Sequence, residues 1–304
     1  MRMRSAALAG SAAVVLAAAQ LYAQLPSAVQ LGQVRHNSGD NVVPVFEGWE
    51  KNPDGSFNMV FGYMNRNYKE QPEIPLGADN FFSPGAQDQG QPTHFYARRQ
   101  MFMFKVRVPA DFGKKELVWT LTRNGRTEKA YATLLMEEQL TDVVISENRG
   151  GLANDSVTAQ PNTPPTIAID GPARRQAAVN ERVTLVASAA DDGIPKPPPP
   201  RENNPNRAVV DGVPLLTNRD RPTSQAIVKP SRRGLAVTWT EWRGAGELTF
   251  EPMTDLVKDG KASTTVTFSQ PGTYVIRAYA DDGVIATPAD VTVVVGANGK
   301  PSGQ

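Results

Sequence analysis

Residues 268–283, FSQPGTYVIRAYADDG, contain the pattern that decides the fold class. A Pro-Gly turn precedes an apolar run over 273–280, and an Asp-Asp-Gly turn follows that run. The same ending occurs earlier in the chain, where AADDGI at 189–194 matches YADDGV at 279–284. Short strands that are closed by Gly, Pro and Asp turns are typical of β-sandwich domains.

Further short apolar runs occupy the second half of the chain, and Gly, Pro or Asp turns separate them. They predict six or seven strands and a β-sandwich. The runs lie at 166–169, 183–187, 235–239, 248–250, 264–268, 273–280 and 290–295. One long Pro-rich insertion, residues 195–233, interrupts the pattern.

The second half also carries a family resemblance. The sequence around Trp239, the segment 244–250 and the segment 268–283 together resemble a PKD-type or related immunoglobulin-like module, over about 163–296. The resemblance implies a sandwich in which Trp239 is a core residue and Tyr274 is a corner tyrosine, its hydroxyl bonded to upstream backbone. It also implies a role as a spacer, an adhesion element or an attachment to a polysaccharide-active enzyme.

The first half of the chain predicts a second, all-β domain. An Asn-Pro-Asp-Gly turn at 52–55 and alternating apolar residues over 57–63 predict a hairpin whose second strand is half-buried. An Asn-Gly pair at 124–125 predicts another hairpin, because Asn and Gly tolerate positive φ at both central positions. Between these hairpins, 65–100 is predicted to be a long loop. This half resembles only uncharacterised exported β-sandwich proteins.

The predicted fold class is therefore all-β, with two immunoglobulin-like β-sandwich domains in tandem. The predicted boundaries are a signal peptide at 1–23, a flexible arm at 24–41, an N-terminal sandwich at 42–140, a Pro/Gly/Asn linker at 141–164, the PKD-type sandwich at 165–296 and a flexible tail at 297–304.

The first 23 residues have the organisation of a signal peptide. Arg2 and Arg4 precede an apolar run over 6–19, and small residues allow cleavage after Ala19 or Ala23. The alternative is a membrane anchor. No other long apolar run is present, so the mature chain is expected to lack a membrane span and to be secreted or periplasmic. The absence of cysteine excludes disulfides and a lipid-modified cysteine.

The charge balance argues against nucleic acid as an intracellular partner. The chain has 32 basic and 31 acidic residues, and cleavage removes two arginines and no acidic residue. Nucleic-acid binding usually requires a strongly basic surface, which this balance does not provide. The insertion 195–233 is the exception, with eight basic and three acidic residues. Loops of this length are usually functional or disordered.

The sequence contains no recognisable catalytic motif, and the prediction is that the protein is not an enzyme. Its two histidines, His36 and His94, are not part of a zinc motif, and no nucleophile elbow or P-loop is present. A glycan-active enzyme stays open as a third hypothesis, because paired carboxylates have no local spacing rule.

Candidate ligand-binding residues combine aromatic and basic side chains, which suit sugars and acidic polymers. They are His94, Tyr96, Arg98, Arg99, Arg219, Arg221, Arg232, Arg233, Trp242 and Arg243. Trp242 is out of phase with the apolar face of its strand, so exposed and buried positions are both open. The alternatives are that the aromatic residues of 65–100 cover a sheet edge, and that the basic insertion is only a mobile loop.

Calcium is the candidate cofactor. Asp191, Asp192, Asp281 and Asp282 lie at predicted strand ends, where carboxylate and carbonyl oxygens suit a Ca²⁺ ion. The alternative is that Asp-Asp-Gly is turn chemistry, in which Asp bonds nearby backbone amides and Gly takes positive φ.

These observations predict a non-catalytic exported envelope protein. The first hypothesis is a polymer-binding or adhesion module that acts through 65–100 and 195–233 on a polysaccharide or another envelope component. The alternative is a scaffold or spacer subunit with an envelope protein as its partner.

Overall fold

The computed structural model describes residues 36–149, 162–196, 209–210, 213–214 and 226–296. The predicted signal peptide and tail lie outside the described residues, as do most of the predicted arm and most of the insertion.

Two three-stranded sheets form the first sandwich. Its strands are β1 (Val42–Lys51), β2 (Phe57–Asn65), β3 (Asn80–Ser83), β4 (Arg98–Val108), β5 (Leu117–Arg123) and β6 (Arg126–Ala132). One sheet has the order β1-β2-β4 and the other β3-β5-β6, with every pair antiparallel. Phe61 and Phe104 of one sheet pack against Phe82 and Trp119 of the other, which makes an aromatic core.

Both predicted hairpins are confirmed. β1 and β2 pair along their whole lengths, beginning with Lys51 and Phe57 on either side of the turn. β5 and β6 are joined by Asn124 (φ 52°) and Gly125 (φ 72°), the positive φ values that a two-residue turn of this type requires. The prediction that β2 is half-buried was wrong at Val60, because this side chain lies on the outer face of the sheet and is nevertheless fully buried.

The burial of Val60 is caused by a helix that the sequence did not predict. Helix α1 (Asp142–Arg149) lies in the predicted linker, and a 3₁₀ turn (Met136–Glu138) precedes it. Thr141 accepts the Val144 amide at the start of the helix, and Ile145 packs on Val60. The first part of the predicted linker therefore belongs to the folded structure.

Strands in the second sandwich form a five-stranded and a four-stranded sheet. They are β7 (Thr166–Ile169), β8 (Arg174–Ala178), β9 (Val183–Ala190), β12 (Ala236–Arg243), β13 (Leu248–Glu251), β14 (Thr254–Leu256), β15 (Lys261–Phe268), β16 (Gly272–Asp281) and β17 (Ala286–Gly296). The orders are β14-β12-β16-β17-β8 and β13-β15-β9-β7, antiparallel except for β17 with β8. Within the insertion, β10 (Val209–Val210) pairs with β11 (Val213–Pro214).

Two features mark the second sandwich as immunoglobulin-like. Trp239 of β12 is fully buried in its core. The Tyr274 hydroxyl donates to the Gln270 carbonyl at 2.8 Å, which is the predicted corner tyrosine. The all-β fold with two sandwiches in tandem is thus present.

Candidate functional site

The two sandwiches meet through a contact that we call the joint. It consists of Asp88–Tyr96 and Met103 on the first sandwich and of Glu241–Gly244, Arg277 and Tyr279 on the second. Both sandwiches belong to one compact unit within Asn37–Gln304.

A β-bulge places Trp242 in the joint. In the pairing of β12 with β16, Glu241 faces Ile276 and Arg243 faces Val275, so Trp242 is the extra residue. A bulge re-aims a side chain relative to its strand, and this explains why Trp242 is out of phase with the apolar face. The structure buries Trp242, leaving it 2% exposed.

The indole of Trp242 makes three contacts in the joint. Its Nε1 donates to the Gly90 carbonyl at 2.9 Å. Its ring packs edge-on against Phe104, with centroids 5.8 Å apart, and the Arg277 guanidinium lies 3.7 Å from the ring centroid. The Trp242 carbonyl also accepts the Thr93 amide at 3.0 Å. The residue is a structural anchor between the sandwiches.

Other predicted binding residues support the same contact. Arg243 forms a bidentate pair with Asp88, at 2.7 and 3.0 Å, and donates Nε–H to the Gln91 carbonyl. The hydroxyl of Tyr96 accepts the Glu241 amide at 2.8 Å. The aromatic and basic residues that suggested a recognition loop are therefore engaged between the sandwiches at these positions.

A cluster of three titratable side chains lies at the joint, where Glu73 adds to two joint residues, His94 and Glu241. Glu73, His94 and Glu241 each place one ligand atom within 4.8 Å of the others, and no other group of three does so in the part of the chain that the structure describes. His94 Nδ1 lies 2.5 Å from a Glu73 oxygen and 3.8 Å from a Glu241 oxygen. Its Nε2 lies 3.0 Å from the side-chain oxygen of Gln71.

Burial has the largest effect on the pKa of Glu241 in this cluster. Burial raises the pKa of Glu241 to about 7, and the nearby His94 acts in the opposite direction. Gly244 leaves room for this carboxylate, since a Cβ at that position would overlap a Glu241 oxygen and the Tyr274 ring. His94 was predicted as a ligand-binding residue, but neither Glu73 nor Glu241 was predicted as a site residue. The charge of Glu241 within β12 is the signal that could have identified it.

Arg98 and Arg99 are placed on the first sandwich. The guanidinium of Arg98 lies 4.0 Å from the centroid of the Tyr68 ring, and Arg99 pairs with Glu47 at 2.6 Å. Arg232 and Arg233 are exposed at the end of the insertion. Arg219 and Arg221 lie outside the described residues, and ligand binding by the basic residues stays a prediction.

The four aspartates of the predicted calcium site form two matching turns. Each accepts the backbone amide two residues ahead: Asp191 from Gly193, Asp192 from Ile194, Asp281 from Gly283 and Asp282 from Val284. This is the geometry of Asx turns, the alternative that the sequence left open.

Their remaining contacts differ between the two turns. Asp281 also forms a buried ion pair with Arg149, and Asp282 accepts from Asn162. Backbone hydrogen bonds from Thr163 and Ile194 lower the pKa of Asp192. No three of the four carboxylates form a ligand group in the described residues. Calcium binding stays a prediction.

A cleft of about 430 Å³ opens beside the joint. It lies between β4, α1 and the second sandwich, where Tyr279 and Ile285 contribute to its wall. Charged residues that line it include Glu50, Lys105 and Asp142. The shape and the polar rim suit a small ligand or a segment of polymer.

No protein-family model and no curated protein matches the chain. Among solved structures, domains 4 and 5 of the S-layer protein SbsC match with a TM-score of 0.25 and 10% identity, over 84% of this chain and 98% of that chain. Fibronectin(III)-like modules of Clostridium thermocellum CbhA match with a TM-score of 0.22 and 13% identity, over 84% and 95%. The D00-D0 domain of intimin matches with a TM-score of 0.24 and 13% identity, over 84% and 100%. These low TM-scores support no statement about function.

No helix among the described residues has the length and apolar character needed to cross a membrane.

Proposed function

We propose that this chain is a non-catalytic exported module whose two sandwiches act as one rigid spacer within an envelope assembly. The observation that carries this proposal is the joint. Domains within one chain are expected to move relative to each other unless their interface is large and apolar. Here Trp242 and Tyr279 share a continuous apolar cluster with Phe104 and Trp119 of the first sandwich.

Polar contacts give the joint directional constraints as well. The Tyr279 hydroxyl donates to the Met103 carbonyl at 2.8 Å, and Arg243 holds Asp88 by two parallel hydrogen bonds. Bidentate pairs fix orientation better than single contacts do. Much of the segment that looked free to recognise a ligand is therefore used to hold the sandwiches together, which favours the spacer over recognition through 65–100.

The finer features of the proposal come from the sequence. The charged and apolar pattern of 1–23 supports export to the periplasm or beyond it, and the core Trp239 and corner Tyr274 support a PKD-type second sandwich. The chain contains no cysteine, so its fold does not depend on disulfide bonds, whether the protein stays in the periplasm or leaves the cell.

Distance measurements between spin labels test the rigidity. The chain has no native cysteine, so Lys129→Cys on the first sandwich and Ser263→Cys on the second, both exposed, create a unique label pair. We expect a distance distribution as narrow as that of a control pair within the first sandwich, Lys114→Cys with Lys129→Cys. A distribution several times broader than the control would contradict the rigid spacer.

A pull-down tests the envelope role. The mature chain, incubated with solubilised envelope proteins, is expected to retain one partner in a fixed ratio, and the retention is expected to survive Arg232→Ala and Arg233→Ala. If no partner is recovered at a fixed ratio, the proposed role in an envelope assembly is contradicted.

The cleft and the basic insertion support a second candidate, binding of an anionic polymer. Arg232 and Arg233 are exposed where the insertion rejoins β12, and Lys105 lines the cleft, where it pairs with Glu50. Co-sedimentation with acidic and neutral polysaccharides across a salt series tests it. Binding that is lost in high salt and is weakened both by deletion of 197–225 and by Arg232→Ala with Arg233→Ala supports this candidate, because screened charge contacts would carry the affinity. Binding that none of these changes affects would contradict it.

A further inference from the structure

The cluster in the joint has the composition of a metal site. Glu73 and His94 face each other across an isolated β-bridge in the first sandwich, and Glu241 enters from β12 of the second. One imidazole nitrogen and two carboxylate oxygens lie within 4.8 Å of one another. Two of the three side chains are almost completely buried, with His94 6% and Glu241 3% exposed.

The contacts of His94 indicate which of its ring nitrogens is available to a metal ion. Nε2 lies 3.0 Å from the amide oxygen of Gln71, which is an acceptor, so Nε2 carries a hydrogen and donates it. Nδ1 lies 2.5 Å from a Glu73 carboxylate oxygen, which is also an acceptor, so in the metal-free protein the hydrogen between these two atoms occupies the place that a metal ion would take, and metal binding releases it. A histidine that binds a metal through one nitrogen normally donates the other N–H to such an acceptor.

Glu241 provides an independent observation. Its Oε2 points toward His94, and its Oε1 makes no hydrogen bond within 3.5 Å among the described residues, although a backbone hydrogen bond from Leu248 lowers the pKa of the carboxyl. A buried carboxylate oxygen without a partner is rare, because desolvation must be compensated by a hydrogen bond or by a cation. Nδ1 of His94 and the carboxylates of Glu73 and Glu241 therefore surround a position suited to a positive charge, which a proton fills in the metal-free protein.

We propose that Glu73, His94 and Glu241 bind a divalent transition metal ion of the Zn²⁺ class, which links the two sandwiches at the joint. A mixed set of imidazole and carboxylate ligands suits Zn²⁺, whereas Ca²⁺ prefers six to eight oxygens. Bonds of about 2.1 Å in a tetrahedral site place ligand atoms about 3.4 Å apart. The 3.8 Å between His94 and Glu241 is close to this spacing.

The contact between His94 and Glu73, at 2.5 Å, must lengthen when the ion enters. Glu73 is 28% exposed, so its side chain has room to rotate, and it marks the side from which the ion arrives. A site shared between two sandwiches couples metal binding to the stability of the joint.

Isothermal titration of the full chain with ZnCl₂ tests the proposal. The protein is purified without a histidine tag and stripped with EDTA. We expect one ion per chain, at least about a 100-fold loss of affinity in His94→Gln and Glu241→Gln, and about a 10- to 100-fold loss in Gln71→Ala. His36→Gln is the matched control, because it removes the other histidine and is expected to bind like the unmodified chain.

A second measurement keeps the proposal testable if a ligand variant is unstable. Co²⁺ added to the unmodified chain is expected to give a visible absorption band that Zn²⁺ removes, and Glu73→Gln, at the more exposed ligand, is expected to weaken that band. No saturable binding, equal binding in a folded His94→Gln variant, or loss of binding in His36→Gln would each overturn the assignment. The distances between spin labels, measured in metal-free protein, test the rigid spacer without reference to the metal. A negative result for metal binding therefore leaves the rigid spacer standing, and the reverse also holds.

Discussion

Replacing Trp242 by alanine is expected to uncouple the two sandwiches. The side chain is 2% exposed, and substituting alanine for a buried tryptophan costs about 3–5 kcal/mol. The change also leaves the Gly90 carbonyl without its donor and removes the ring beneath Arg277. We therefore expect a loss of about 4 kcal/mol, drawn mainly from the joint rather than from either core.

Scanning calorimetry distinguishes this loss from ordinary destabilisation. The unmodified chain is expected to unfold in one transition, because a single apolar cluster spans the joint. Trp242→Ala is expected to give two transitions and a broader distribution of label distances. The matched control is Trp239→Ala, which removes a fully buried tryptophan from the second core; it is expected to lower the melting temperature while the joint persists.

The outcome that would refute the reasoning is a Trp242→Ala variant that unfolds in one transition at the unmodified temperature. That result would mean that the joint contributes little free energy. Two transitions already present in the unmodified chain would lead to the same conclusion.

Three further predictions concern single contacts. Tyr274→Phe removes the corner hydrogen bond and is expected to lower the free energy of unfolding, measured in urea, by about 1 kcal/mol. The control is Tyr131→Phe, at a residue that is 53% exposed, which is expected to change the free energy of unfolding by no measurable amount. Arg149→Ala leaves the buried Asp281 carboxylate without its counter-ion and is expected to cost about 3 kcal/mol; a cost below about 1 kcal/mol would show that backbone amides suffice. The hydrogen bond from Arg243 lowers the pKa of Asp88 below 3.8. The pair therefore contributes its stabilisation of the fold in full above pH 3.8, and this stabilisation is lost as the pH falls through the lowered pKa. Thermal melts of the unmodified chain and Asp88→Asn are expected to differ by less than about 1 kcal/mol at pH 7 and to converge once the pH is well below 3.8; a constant difference would contradict the assignment.

Much of the fold could be predicted because its signals are local. Alternation with a period of two identifies strands, since successive side chains point to opposite faces. The Asn124-Gly125 turn and the Asp-Asp-Gly turns follow from the backbone preferences of a few adjacent residues. The corner Tyr274 was predictable from a short motif for the same reason.

The candidate site depended on contacts that no local pattern encodes. His94 was predicted as a site residue, but its partners were not, because Glu241 meets it only when the second sandwich docks on the first. Helix α1 was hidden for a related reason: its burial comes from Val60, which is distant in the sequence.

The sequence by itself determined the all-β class, the positions of most strands and the turns between them, through short-range backbone and side-chain preferences. Only the tertiary structure decided the role of Trp242, whose position follows from a bulge in the pairing of β12 with β16. It also joined Trp242 to Gly90, 152 positions away, and so made 88–96 part of the joint. Such contacts depend on the complementary shapes of two folded surfaces, and that complementarity exists only after both sandwiches have formed.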